Sequence, residues 1–269
     1  MINHMNLFLL EVLAICFYFA SSITLIKDIK ENCLKKLALA LAWLASFTHL
    51  LSLSLSTWQE QGIDFSFFHT ASIISLIIAF LLLFASFSKP VEKLGIALFP
   101  IAALMLILDL VYPSPVKTTQ DFSFAMNAHI LSSIIAFSLL TIAAFHALLL
   151  AVQNNQLKNH NPGRLMLAFP PLQAMESLLF QMISTGLLFL SASLLSGFIF
   201  IDDLFAQHLA HKTILSIVAW IIFSGLLIGR ERYGWRGKTA IRWTLYGFLS
   251  LLLAYFGSKL VLELILNKF

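Results

Sequence analysis

"LLFQMISTGLLFLSASLLSGFIFI", residues 178–201, is an uncharged apolar run, and it is followed directly by "DDLFAQHLAHKT", residues 202–213, with two acids, two histidines and a lysine. At about 1.5 Å per residue a run of this length rises roughly 36 Å as a helix, enough to cross a hydrocarbon layer of about 30 Å. The pair therefore reads as a membrane span leading into a wet turn, with the next apolar run behind it. Working outward, the same alternation gives spans at 6–26, 37–55, 67–87, 94–111, 128–151, 178–201, 212–229 and 243–264. Of the 269 residues 59% are hydrophobic and only 11% charged, and the mean hydropathy is +0.90. Runs this long satisfy their backbone as helices and not as a barrel. The expected fold is an all-α, polytopic membrane bundle of about eight transmembrane helices, a single domain over residues 1–269 with no soluble domain left over.

Cys16 and Cys33 are the only cysteines, so there is no disulfide framework and no Cys-x-x-Cys pair. The first run carries Glu11 and lacks a positive flank and a small-residue cleavage site, so it reads as a retained span. A pI near 9.1 needs no nucleic acid to explain it, because Lys and Arg set the orientation of membrane proteins. Thirteen of the seventeen Lys and Arg fall in the first, third, fifth and seventh connections, including Lys27, Lys30, Lys35, Lys36, Lys89, Lys93, Lys158 and Arg164 and the run from Arg230 to Arg242. Lys117, Lys212, Lys259 and Lys268 fall on the other side. The bias places both termini and the second, fourth and sixth connections outside the cytoplasm. The basic stretch "RERYGWRGKTAIRW" (230–243) is first a topology determinant and second a lipid-headgroup or partner site.

Ionisable groups within the membrane are functional candidates, and here they are mostly histidines. His49 falls late in the second span, roughly 10 Å below the outer boundary. His69, His129, His208 and His211 fall near the outer surface, and His146 in the inner half. Neutral imidazole is a common ligand of transition metals, and a haem iron takes one axial imidazole from each face of the ring. His129 and His211 meet that need best: each opens a different span on the same side, with Phe122, Phe124, Phe198, Phe200 and Phe205 available to line a porphyrin slot and Lys117 and Lys212 to neutralise propionates. The plainer reading is that an interfacial histidine is an anchor or a helix-end hydrogen bonder. His208 and His211, three apart, share a helical face and could hold one small metal ion. Asp202 and Asp203 read as an interfacial cap, and Glu176 in "PPLQAMES" marks a possible partner surface on the inner side.

Two segments, "AHKTILSIVAWIIFSGLLIGR" and the following "YGWRGKTAIRWTLYGFLSLLLAYFGSKLVLELIL", resemble the C-terminal part of the cytochrome c assembly family of integral membrane haem-handling proteins. "NAHILSSIIAFSLLTIAAFHALLL" and "PPLQAMESLLFQMISTGLLFLSASLLSGFIFIDDLFAQHLAHKT" are similar too, so the likeness covers roughly residues 90–265. It is nearest to the YpjD branch of bacterial inner-membrane proteins, related to CcsA and HemX. The resemblance implies a multi-pass protein of the bacterial inner membrane, with haem bound by two external histidines. His129 in "NAHIL" and His211 in "AHKTIL" match them by position, and His49 matches a histidine that holds haem in transit within the membrane. Where family members carry a tryptophan-rich loop between spans six and seven, this chain reads "DLFAQHLAHKT". The leading expectation is a haem-binding protein that presents or moves haem at the outer face in cytochrome c assembly or a related step. Its work would be coordination and transfer in place of bond-making, with a membrane partner of cytochrome c biogenesis to receive it. The alternatives are a regulatory or scaffold subunit for a partner enzyme or transporter, and a divalent-metal transporter using Asp203, His208 and His211.

Overall fold

An apolar environment offers backbone amides and carbonyls no water, so each span forms an α-helix that pairs them internally. The computed structural model describes residues 4–31, 33–60, 66–112, 123–159, 169–200 and 210–257. Among these, eight helices are long and apolar enough to cross a membrane: α1 (His4–Glu31), α2 (Lys35–Glu60), α3 (Phe67–Ala85), α4 (Gly95–Val111), α5 (Phe124–Lys158), α6 (Leu172–Phe200), α7 (Ala210–Tyr233) and α8 (Gly237–Leu252). No strand occurs among the described residues. Each expected span has its helix. Three of them, α5, α6 and α8, begin four to six residues earlier than hydropathy suggests. The helices group into two compact units, residues 1–121 and 122–269, each taken by itself below.

In the first unit α1 packs on α2 and α4, and α3 packs on α2 and α4, which closes a four-helix ring. Antiparallel order follows from the paired residues: the Ser21 hydroxyl donates to the Ala38 carbonyl (2.8 Å), while Tyr18 meets Ser46 about two turns further up α2. Ala14, Ala38, Ala42 and Ala45 are fully buried; such small residues let helix backbones approach closely where dispersion drives association. Pro100 sits inside α4 and has no N–H for the carbonyl four residues back, Ile96. The Ser22 hydroxyl of α1 donates to that carbonyl at 2.9 Å, so the helix break is repaired by a neighbouring helix. Where α1 ends, the buried Lys93 pairs with Asp28, and Lys35 pairs with Glu92 at 3.0 Å. Two of the cations counted for topology are thus neutralised inside their own unit.

The second unit closes the same kind of ring: α5 packs on α6 and α8, and α7 packs on α6 and α8. The α5–α6 seam is antiparallel, with His129 against Ser193 and Ser196, and His146 against Met175. Gly186 lies at this seam, where a Cβ would come within 2.8 Å of the Leu140 side chain. The α7–α8 turn carries Gly234 and Gly237 at φ 67° and 53°, a left-handed backbone that other residues adopt only with strain. Glu176 Oε1 accepts the Gly237 N–H at 2.7 Å and so places a carboxylate at the positive end of α8. This carboxylate, marked from sequence as part of a partner surface, is engaged within its own unit. Beyond α8 a π-helical turn, Leu253–Gly257, sets Tyr255 against Phe137 with ring centroids 4.6 Å apart and the planes tilted by 32°.

Candidate functional site

The histidines fall into two settings, one in each unit. In the first, His49 of α2 is fully buried. Its Nε2 is hydrogen-bonded to Ser72 Oγ of α3 at 3.0 Å, and its Nδ1 lies 3.4 Å from the Tyr18 hydroxyl of α1, which is itself 3.4 Å from Ser46 Oγ. Tyr18 also meets the His49 ring edge-on, with centroids 5.9 Å apart. One turn before Ser72 on the same helix, His69 donates from Nδ1 to Asp109 Oδ2 of α4 at 3.1 Å. Glu11 of α1 is close enough to Asp109 and His69 to interact with both, and His69 with His49. All four helices contribute, and every polar group named faces inward, as ionisable groups in membrane bundles do.

Sequence reasoning found His49 but not its setting. Glu11 and Asp109 carry no pattern in the sequence that joins them to His49, and Tyr18, Ser46 and Ser72 give no signal at all. The one available clue was register: Glu11 and Tyr18 are seven apart, and His69 and Ser72 three apart, so each pair shares a helical face.

In the second unit His129 lies early in α5 and is half-buried. Its Nδ1 is 2.9 Å from the Ser193 carbonyl oxygen and 3.1 Å from Ser196 Oγ. A carbonyl oxygen can only accept, so Nδ1 carries the proton, and in the neutral ring Nε2 keeps its lone pair. Among the described residues Nε2 has no partner. This is the arrangement in which metal-ligating histidines are held, with the second ring nitrogen donating to a carbonyl that fixes tautomer and orientation.

His211, the second residue of α7, is exposed and has no partner among the described residues. Because successive helices run antiparallel, α5 and α7 begin at the same end of the unit, on diagonal corners of the ring. The two histidines are brought to one end but not into contact. At that end Phe124 is 90% exposed and Phe198 51% exposed, which leaves aromatic faces available to a flat apolar ligand. Phe122, Phe205, His208, Asp202, Asp203 and Lys117 lie outside the described residues, as does the side chain of Phe200. His146 differs again: its Nε2 donates to the Met175 carbonyl at 2.9 Å, and its Nδ1 is buried without a partner.

Among the described residues no three His, Cys, Asp or Glu side chains are placed to hold a single metal ion. An imidazole pair on a larger ligand asks less of the protein, since a porphyrin supplies the four equatorial nitrogens itself. His129 fits such a ligand in tautomer and His211 in access, whereas His49 has both ring nitrogens occupied by hydroxyl neighbours.

Residues 33–266 match the family described as Cytochrome C assembly protein. Inner membrane protein YpjD of Escherichia coli (strain K12) is 30% identical over 237 residues, covering 86% of this chain and 88% of that protein. A 28.8 kDa protein in the nifR3-like 5′ region of Azospirillum brasilense is 31% identical over 157 residues, 58% of each chain. No solved structure matches. With its eight membrane-length helices and its match over nearly the whole length, the chain belongs to the cytochrome c assembly protein family, as a multi-pass protein of the inner membrane.

Proposed function

We propose that this protein handles haem at the outer membrane face in cytochrome c biogenesis, with His129 and His211 as the two axial ligands. The observation that carries the reading is the Ser193 carbonyl at 2.9 Å from His129 Nδ1, which leaves Nε2 as an unprotonated donor. Haem, when bound, supplies an iron that accepts two imidazole nitrogens and a flat apolar ring that seeks aromatic faces. This chain supplies the rest: Ser193 and Ser196 hold the His129 ring, the first turn of α7 presents His211, and Phe124 and Phe198 offer apolar surface. His49, enclosed in the first unit, serves as a holding position within the membrane once Ser72 or Tyr18 gives up its hydrogen bond. Receipt by a membrane partner of cytochrome c biogenesis completes the role.

Absorption spectra of the purified, haem-loaded protein test this. A Soret band is expected for the wild type, weakened in His129→Ala and His211→Ala and lost in the double variant. A band untouched by the double substitution ends the proposal.

A further inference from the structure

Where α5 ends and α8 begins, the second unit has a cleft of about 230 Å³. Asn154, Asn155, Lys158 and Asn159 line it from α5, and Lys238 and Arg242 from α8. The spacing explains the lining. Positions 151, 154, 155, 158 and 159 recur at three and four residues and form one stripe of α5, and 238, 241 and 242 do the same on α8. Two helices that pack on each other normally close such stripes with apolar side chains, as α5 does deeper down with Ala136, Leu140, Ala143, Ala147 and Leu150. In the last two turns of α5 both facing stripes turn polar, and the packing opens into a cleft.

Its charge is one-sided. Three cations face the cleft and no carboxylate lines it. None of the six polar side chains has a hydrogen-bond or ion-pair partner among the described residues. The corresponding end of the first unit behaves differently, since Lys93 and Lys35 are matched there by Asp28 and Glu92. Glu176, the carboxylate at the start of α8, is taken up by the Gly237 N–H and is not part of the lining. Like charges on two facing helices repel unless an anion lies between them.

We propose that this cleft is a binding site for a phosphate group, and that an anionic phospholipid of the adjoining leaflet supplies it. Two lysines as point charges, an arginine fork and three asparagine amides are the donor set that phosphate oxygens accept from. The volume suits a headgroup and is small for a drug-sized cofactor. α5 is 35 residues long, or about 52 Å, against about 30 Å of hydrocarbon, so its last turns stand at headgroup level. Ala151 lines the cleft one turn nearer the apolar interior, where a lipid's glycerol and first methylenes would lie. The Lys and Arg bias assigns this end to the cytoplasmic leaflet, whose anionic lipids attract such clusters. The inference stands apart from haem handling and would survive its failure.

Native mass spectrometry of the full chain, released from nanodiscs of phosphatidylglycerol and phosphatidylcholine with matched acyl chains, is the test. The wild type is expected to retain phosphatidylglycerol about tenfold over phosphatidylcholine. Lys158→Gln with Arg242→Gln should bring that ratio close to one, the charge-preserving pair Lys158→Arg with Arg242→Lys should restore most of it, and Arg232→Gln, outside the cleft, should leave it unchanged. Release of the lipid by millimolar inorganic phosphate would assign the site to a soluble phosphate; retention in its presence assigns it to lipid. No preference in the wild type together with no effect of phosphate, or a preference the double substitution leaves intact, overturns the site. Equal loss in Arg232→Gln overturns it too, since that is the mark of diffuse surface charge.

Discussion

The two units build the same four-helix ring and use their histidines in opposite ways. In the first, His49 and His69 are buried, and their partners Tyr18, Ser72 and Asp109 come from α1, α3 and α4. In the second, His129 is held by one ring nitrogen only, and His211 stands exposed at a helix start. A buried polar group is costly unless paired, so the first arrangement stabilises its ring and must open before it can bind anything. The second leaves donors available without breaking a contact. A histidine's usefulness as a ligand thus depends less on its place along a span than on which nitrogens its neighbours already occupy.

The comparison is broken or sharpened by substitutions on its two sides. The largest effect is expected when both open histidines are removed: His129→Ala with His211→Ala should lower haem affinity by at least about a hundredfold, roughly 2.7 kcal/mol, while His49→Ala keeps most of the absorbance. The reverse result, with His49 essential and the pair dispensable, would invert the roles of the two units. Next, Asp109→Ala should cost the first unit about 2 kcal/mol, because it removes the carboxylate to which buried His69 donates; thermal unfolding in detergent measures it, with haem binding by the second unit unchanged.

A smaller effect is expected from Ser196→Ala. The Ser193 carbonyl still fixes the His129 tautomer, so haem affinity should fall only by a factor of about three to ten, less than the upper range for supporting groups. The smallest should come from Tyr18→Phe, since the two contacts it removes, to His49 and Ser46, are both 3.4 Å long. A loss under about 1 kcal/mol is expected, and a much larger one would mean that the hydroxyl holds His49 more firmly than its distance implies.

Much of this was legible beforehand. Residues 67–85 became α3 because an uncharged run of that length has one stable form in a membrane. The start of α5 was misplaced for a related reason. Polar residues at an interface carry little hydropathy signal, yet Ser123 accepts the Met126 N–H and begins the helix before the apolar run does. Of the candidate site, His129 and His211 could be put at one end from topology alone. The Ser193 carbonyl could not, because Ser193 is 64 positions away and nothing in the spacing of either helix marks it.

What the sequence by itself determined is what depends on local composition: eight spans, an all-helical fold, and which helix ends share a side, since the transfer of each run into hydrocarbon is decided within that run. Only the tertiary structure decided which nitrogens are occupied, that Ser22 mends the break left by Pro100, and that Lys93 is neutralised by Asp28 while Lys158, Lys238 and Arg242 face a cleft without an acid. Those are pairings between helices, and they follow from the rotation and depth at which helices meet, which no single span's sequence specifies.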